Sequence, residues 1–427
     1  MITLGSTELN YLIFRYLIEE GYTHSAYIFG KESMVEEHPN VPEVSQDSLK
    51  HYVTKGIEME YIEKHTDSNN RIKKCAANYN ITTPHKCVEQ PFEISPTYLQ
   101  SQSSDVSLCA WSESGELVTG SQNCLLRLWA PPAVSIEWEL GHNTSTSHGI
   151  TGLAIESGSS FGFSSPSTTI VGTTHTGDLF VAKGEKEWRK PHAHKGPIVA
   201  VSLNGQEVLT GGWDGMCKRW TVEGGVLTES QKWAIHKGPV MDILLYSTGF
   251  VTCSGDSTLC TVDNGYAVTK MFGHTEEVNC IKKVQDLIVS CSDDATIKMW
   301  RYGGTDPLHT LEGHKKEVYA IDTHGSMIAS GSFDADVKIW DGDVGKETRT
   351  LTGHKKAIYS VAFSRDGALL ASGGLDSSVC LWDTRSKELA KEFSIGSGIY
   401  QVAFSPKNNT LAVCSSDPRP ILLDIRR

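Results

Sequence analysis

One stretch, "GHKKEVYAIDTHGSMIASGSFDADVKIWD" from Gly313 to Asp341, returns as "GHKKAIYSVAFSRDGALLASGGLDSSVCLWD" from Gly353 to Asp383. Upstream, "GHTEEVNCIKKVQDLIVSCSDDATIKMW" ends at Trp300 in the same pattern. The histidines His194, His236, His274, His314 and His354 follow one another at 42, 38, 40 and 40 residues. A period near forty residues means one supersecondary unit repeated, each copy burying its faces against its neighbours. Inside each unit a second constellation recurs: His314, Ser330, Asp334 and Trp340; His354, Ser372, Asp376 and Trp382; His274, Ser290, Asp294 and Trp300; His194, Thr210, Asp214 and Trp220. Asp follows Ser or Thr by four residues and Trp follows Asp by six, which describes a buried hydrogen-bond relay from carboxylate through imidazole and hydroxyl to indole. A Ser-His-Asp set repeated in every unit beside a Trp is structural, so these tetrads are not read as catalytic sites.

The period, the Gly-His near the start and the Trp-Asp near the end resemble WD repeats, each a four-stranded blade of a β-propeller. Degenerate copies bring the count to eight. Blade 4 keeps His236, Thr252 and Asp256 but carries Val262 in the Trp position; blade 1 keeps Trp129 but has Asn123 for the Asp. Blade 2 has Thr176 in place of Asp and a Ser/Gly/Thr-rich insertion from Ser157 to Thr169, and blade 8 keeps only Asp417. After Leu423-Asp424 too few residues remain for a fourth strand in blade 8. That strand is expected from just before blade 1, near 96–101, where it would staple the ring and remove an exposed edge. The expected fold is an all-β eight-bladed propeller over 92–427, preceded by a small all-α domain over 1–66 and a linker over 67–91.

The opening segment supplies the helices. Leu9, Leu12, Ile13, Tyr16 and Leu17 form the stripe of one helix face, Gly21 stops that helix, and Thr23 can cap a second one carrying Ala26 and Phe29. Leu49, Val53, Ile57 and Tyr61 recur every four residues in a third helix within Val41 to His65. The linker carries a thin basic cluster, Arg71, Lys73 and Lys74, readable as a localisation signal or as solvated charge. "LNYLIFRYLIEEGYTHSAYIFGKES" resembles a LisH motif, whose helices pair between subunits, so Leu9, Leu12, Ile13, Tyr16, Leu17, Ala26 and Phe29 are the expected oligomerisation residues. The helix after it resembles an F-box-like segment.

A LisH motif, an F-box-like helix, a linker and eight blades in that order resemble the transducin-beta-like family of corepressor subunits. "HKGPIVAV", "GHTEEVNCIK", "SCSDDATIKMW" and "GSGIYQVAFSPKNNTLAVCSSDPRPILLDIRR" carry the likeness through the ring. The resemblance implies a nuclear scaffold of a histone deacetylase complex that self-associates as a dimer or tetramer. It further implies that the helices hold a corepressor segment and that the propeller meets histones or transcription factors. Blades 1, 2 and 4 depart from the pattern and leave the partner's identity open.

The rim of the propeller is where a partner would bind. The residue five after the tetrad His is Tyr319 in blade 6 and Tyr359 in blade 7, and alignment places Tyr400 there in blade 8. The residue before the tetrad Asp is Trp213, Phe333 or Leu375, an apolar side chain in a tight turn. Such aromatics serve either as interaction anchors or as filling for the channel mouth. Lys195, Lys237, Lys315, Lys316, Lys355 and Lys356 follow the tetrad histidines as a basic arc, suited to an acidic peptide, an acidic histone surface or phosphates, or merely solvated.

Composition sets the outer bounds. A chain of 427 residues, 39% apolar and 21% charged, has ample core for a large repeat fold. A net charge of -12 excludes a protein that coats nucleic acid or anionic membrane over its whole surface. No signal-like segment and no apolar run of membrane-spanning length is present. The eleven cysteines include no C-x-x-C pair, and Cys217, Cys253, Cys291 and Cys380 read as buried small hydrophobes of a reducing compartment. "GDVGKET" lacks phosphate-loop spacing, and His192 beside His194 has no third metal ligand in view. No enzyme, cofactor, membrane or small-molecule substrate is expected. The rival functions are a cullin-ligase substrate adaptor and a LisH/WD-repeat regulator of microtubule motors.

Overall fold

The computed structural model describes residues 93–426 apart from 131–132, 141–148, 157–167, 184–185, 206, 224–225, 247, 264, 387 and 408; in the opening segment it describes Asn10, Ile13, Phe14 and Tyr16 to Ile18. The chain divides into two units, Met1–Pro91 with Arg427, and Phe92–Arg426. In the first unit the described residues are helical; Ile13, Tyr16 and Leu17 of the expected stripe are half-buried, and Ile18 beside them is exposed. Leu9, Leu12, Ala26, Phe29, the expected helix within Val41 to His65 and the linker lie outside the described residues.

The second unit is eight antiparallel sheets of four strands each. Blade 6 shows the plan: an inner strand Val318–His324, then Met327–Ser332, Asp336–Asp341 and an outer strand Lys346–Thr352. The second strand, "MIASGS", is buried almost throughout, because neighbouring blades cover both of its faces; such a strand is apolar or small along its length instead of alternating. The outer strand, "KETRTLT", meets solvent and is correspondingly polar. Successive inner strands pack side by side round the ring, blade 8 against blade 1 included. The core lies in the spaces between blades, where Trp129, Trp220, Trp300, Trp340 and Trp382 are fully buried.

Every inner strand carries a β-bulge near its start. In blades 1 to 8 the residue skipped by the ladder is Ser107, Thr151, Val199, Met241, Asn279, Tyr319, Tyr359 and Tyr400. A bulge leaves its extra residue unpaired and re-aims its side chain, here at the mouth of the central channel. In three blades the next residue stitches its strand to the following blade. Asp242 accepts from the Ile281 N–H at 3.1 Å, Ser360 from Val402 at 3.1 Å and Gln401 from Cys109 at 2.7 Å.

The ring closes through Glu93–Tyr98, which pairs antiparallel with Ile421–Arg426 as the outer strand of blade 8. The sequence reading put this strand at 96–101, three residues too late. From Leu99 onward the chain turns inward: Leu99 and Gln102 donate their N–H groups to Pro420 and Pro418 at 2.9 and 2.8 Å, and the fully buried Gln102 enters blade 1. Strand alternation then points the Thr97 and Ser95 amides into the ladder and leaves Pro96, which has none, on the open edge.

Replacing Thr97 with Pro removes an inward amide and costs about 2–3 kcal/mol. Thermal melting of Thr97→Pro falls by several degrees relative to Thr97→Ala. Equal midpoints for the two variants would contradict the closure.

Candidate functional site

The tetrads set the geometry of the rim. In blade 6 the Trp340 indole donates to the Ser330 hydroxyl at 2.8 Å, and that hydroxyl lies 2.8 Å from His314 Nε2. An indole N–H can only donate, so the serine proton goes to Nε2; His314 Nδ1 then carries the ring proton and gives it to Asp334 at 2.9 Å. Blades 3, 5 and 7 repeat this chain with His194, Thr210, Asp214 and Trp220; His274, Ser290, Asp294 and Trp300; and His354, Ser372, Asp376 and Trp382. Each bridging hydroxyl belongs to a residue with no exposed surface and is held by indole and imidazole, so none can meet a substrate as a nucleophile. Both ring nitrogens of His194 are committed to its tetrad, which removes it as a metal ligand beside His192.

The aspartate has a second task. Its carboxylate accepts the backbone N–H of the residue after the histidine: Lys195 at 3.0 Å, Lys237 at 2.8 Å, Thr275 at 3.1 Å, Lys315 at 2.9 Å and Lys355 at 2.7 Å. It also accepts the N–H two residues on, as Asp334 does from Asp336 at 3.0 Å. Between them Ala335 takes a left-handed φ of 71°, as do Ser257, Ala295 and Ser377 in their blades. The buried relay thus fixes the backbone from which the rim side chains project.

Three degenerate blades depart from the relay, each in its own way. In blade 1 the amide of Gln102 donates to Thr119, which also receives the Trp129 indole at 2.8 Å. Gln102 takes the missing histidine's place with the bond reversed, its amide donating where an imidazole Nε2 would accept, and Asn123 donates to the Gln102 backbone carbonyl at 3.0 Å. Sequence spacing hid it, because Gln is not a residue the repeat announces. In blade 4, Val262 leaves room that Trp233 and Phe250 fill by edge-on packing at 5.0 Å. In blade 8, Asp417 pairs with Arg419 at 2.9 Å instead of with a histidine, and that guanidinium lies over Tyr98 of the closing strand.

Three of the rim aromatics form one cluster. The Tyr319, Phe333 and Tyr359 rings lie 5.8, 5.1 and 5.3 Å apart, pair by pair, across blades 6 and 7. Tyr319 is 40% exposed. Beside them Lys316, Glu317, Phe333, Ala335, Lys355 and Lys356 line an open depression of about 620 Å³. Lys315 is exposed but does not line it. Leu375 is exposed one blade further on, next to Gly398, and the Tyr400 hydroxyl donates to Asp105 at 3.4 Å. Trp213 does not join this sector: it sits in blade 3 against His175 of blade 2, 6.4 Å between ring centres, because the bulge residue of its own blade is Val199 and offers no ring to stack on.

Comparison with known proteins fits this geometry. The family model "WD domain, G-beta repeat" matches residues 95–130, 186–221, 265–301, 305–341 and 345–383, and the LisH model matches 7–33. The F-box-like/WD repeat-containing protein TBL1Y of Homo sapiens is 27% identical over 384 residues, covering 66% of this chain and 70% of its own. TBL1X of Macaca fascicularis is 27% identical over 378 residues, covering 66% and 63%. The chain is similar to the transducin-beta-like LisH/WD40 proteins. WD40 repeat-containing protein HOS15 of Arabidopsis thaliana is 32% identical over 260 residues, 50% of this chain but only 37% of HOS15. Among solved structures the C-terminal WD40 domain of Sif2 shares the fold, with a TM-score of 0.64 at 18% identity over 78% of this chain and 97% of that one. The designed protein Ika8 does so at 0.63 and 22%, over 77% and 98%. The matched repeats are those in which an indole donates to the bridging hydroxyl; most of blades 2, 4 and 8 lies outside the matches.

Electrostatics follow from the relay. Burial pushes His194, His236 and His274 below the usual imidazole range, against the pull of their aspartates, so they are neutral donors to carboxylate. Burial alone would raise the partner carboxyls, but hydroxyl, imidazole and amide donors outweigh it: Asp256 is held down at about 2, and Asp214, Asp294, Asp334 and Asp376 are also lowered. Both shifts are downward, so the unfolded chain binds more protons than the folded one and acid destabilises. The expected loss of melting temperature begins below about pH 6.5 through the histidines and steepens below about pH 4 through the aspartates. Thermal melts across that range check it, and His274→Gln flattens the upper step. A melting temperature constant from neutral pH to pH 4 would contradict the assignment.

Proposed function

We propose that the protein is a non-enzymatic scaffold subunit of a nuclear histone deacetylase corepressor complex. The observation that carries this reading is the joining, on one chain, of a LisH segment at 7–33 to an eight-bladed rim with a preorganised aromatic sector. The LisH helices self-associate through the stripe of Leu9, Leu12, Ile13, Tyr16, Leu17, Ala26 and Phe29, as a dimer or tetramer. The helical segment holds a corepressor chain, and the rim residues Tyr319, Phe333, Tyr359, Leu375 and Tyr400 read a second partner such as a histone or transcription factor. Several rims on one oligomer raise avidity by roughly 10²-fold or more without any single contact being strong. Likeness to TBL1X and TBL1Y supports the corepressor assignment.

A second reading draws on the relatives' names, which include "F-box-like". An F-box-like helix ahead of a propeller suits a substrate adaptor of a cullin ubiquitin ligase. Affinity purification of the tagged full-length protein from its own cells separates the two. Recovery of a deacetylase with a large corepressor chain is the expected result, lost on Leu12→Glu/Leu17→Glu if self-association is required. Recovery of cullin and its adaptor without a deacetylase would overturn the corepressor reading.

A further inference from the structure

The rim between blades 6 and 7 has a chemistry that selects among partners. Lys315, Lys316, Lys355 and Lys356 are all exposed, and among the described residues none has an ion-pair partner within 4.0 Å. This is unusual on a chain of net charge -12, where carboxylates outnumber ammonium and guanidinium groups. Two carboxylates beside them, Asp334 and Asp376, are engaged by imidazole and backbone donors, and Glu317 lines the same depression without pairing a lysine within 4.0 Å. Three of the lysines, Lys316, Lys355 and Lys356, share one depression with Phe333.

The aromatics beside it do not form a cage for a cation. Tyr319, Phe333 and Tyr359 pack directly on one another at 5.1–5.8 Å, which leaves no gap between rings for an ammonium group, and the surrounding lysines repel one. The cluster instead presents an apolar platform on which an incoming side chain can stack. The backbone beneath is rigid, because each tetrad aspartate clamps the amide of Lys315 or Lys355. A preorganised platform loses little entropy on binding.

We infer that this sector binds an acidic, extended protein segment through one aromatic or large aliphatic anchor, with Lys316, Lys355 and Lys356 pairing its carboxylates and Tyr319, Phe333 and Tyr359 receiving the anchor. Basic histone tails are thereby excluded from this sector. The inference rests on the rim being a partner-binding surface, as proposed above, and adds which chemistry it accepts. Nucleic acid is the other polyanion to consider. Its binding in place of the peptide is an outcome of the test.

The test uses the full-length protein and a fluorescein-labelled peptide in which one phenylalanine is flanked by short glutamate runs. Fluorescence anisotropy compares it with the same peptide carrying Ala for Phe, with a version carrying Lys for Glu, and with a single-stranded DNA oligonucleotide. The expected result is binding of the acidic phenylalanine peptide that weakens roughly tenfold or more in Lys316→Glu/Lys356→Glu, in Tyr319→Ala, and on loss of the phenylalanine. Salt raised from about 50 mM to about 300 mM weakens it further. These lysines are exposed, so a folded charge-reversal variant, checked by its melting curve, keeps the comparison valid. Binding that is unchanged by the charge reversal, or stronger for the lysine peptide or the DNA, overturns the inference. If native partners recovered from cells are lost in Tyr319→Ala but retained in the charge-reversal variant, the rim remains a partner site and only the acidic chemistry falls.

Discussion

A buried hydroxyl shared between an indole and an imidazole is the interaction on which the rest of this molecule depends. In each complete blade it receives one proton and gives another, which leaves the histidine a single arrangement: its second nitrogen must donate to the aspartate. Buried polar groups left unmatched cost about 1–3 kcal/mol each, so each member of the relay is held by its neighbours; blade 4, without the indole, still keeps His236, Thr252 and Asp256 joined. The aspartate at its end has oxygens to spare, and it spends them on backbone amides of the adjacent turn and of the next loop. A core network thereby holds surface loops in place.

That coupling gathers the proposed partner-binding residues on one face. The loops clamped by the aspartates and the bulges of the inner strands open on the same mouth of the channel. Bulges occur in all eight blades, but the residue each presents differs, from Ser107 and Thr151 to three consecutive tyrosines. The scaffold is constant and the sector is written by substitution at positions that carry little folding constraint. A propeller of this kind can change partners without changing its core.

Much of the fold was legible because repetition multiplies a weak local signal. The tetrad spacing gave the blades and their number. The bulge was not legible: it is a register shift, and Tyr319 looks the same in sequence whether paired or skipped. Gln102 escaped notice because it takes a histidine's place beside Thr119 with a side chain the repeat does not announce. The closing strand, expected near 96–101, starts three residues earlier, because its register is set by pairing with Ile421–Arg426 and not by a local sequence signal. Trp213 was grouped with Phe333 by repeat position alone. Position in the repeat assigns a residue to the rim, whereas which rims touch depends on the ring, and blades 3 and 6 are not neighbours.

The central claim is that the tetrad aspartate transmits order from the core to the rim, and hydrogen–deuterium exchange on full-length Asp334→Ala tests it most directly. The account predicts selective loss of protection over Gly313 to Val318 and around Phe333, with the strands Met327–Ser332 and Asp336–Asp341 largely retained. Unchanged protection at Lys315 would show that the rim orders itself without the carboxylate, and the link from core relay to binding surface would be lost.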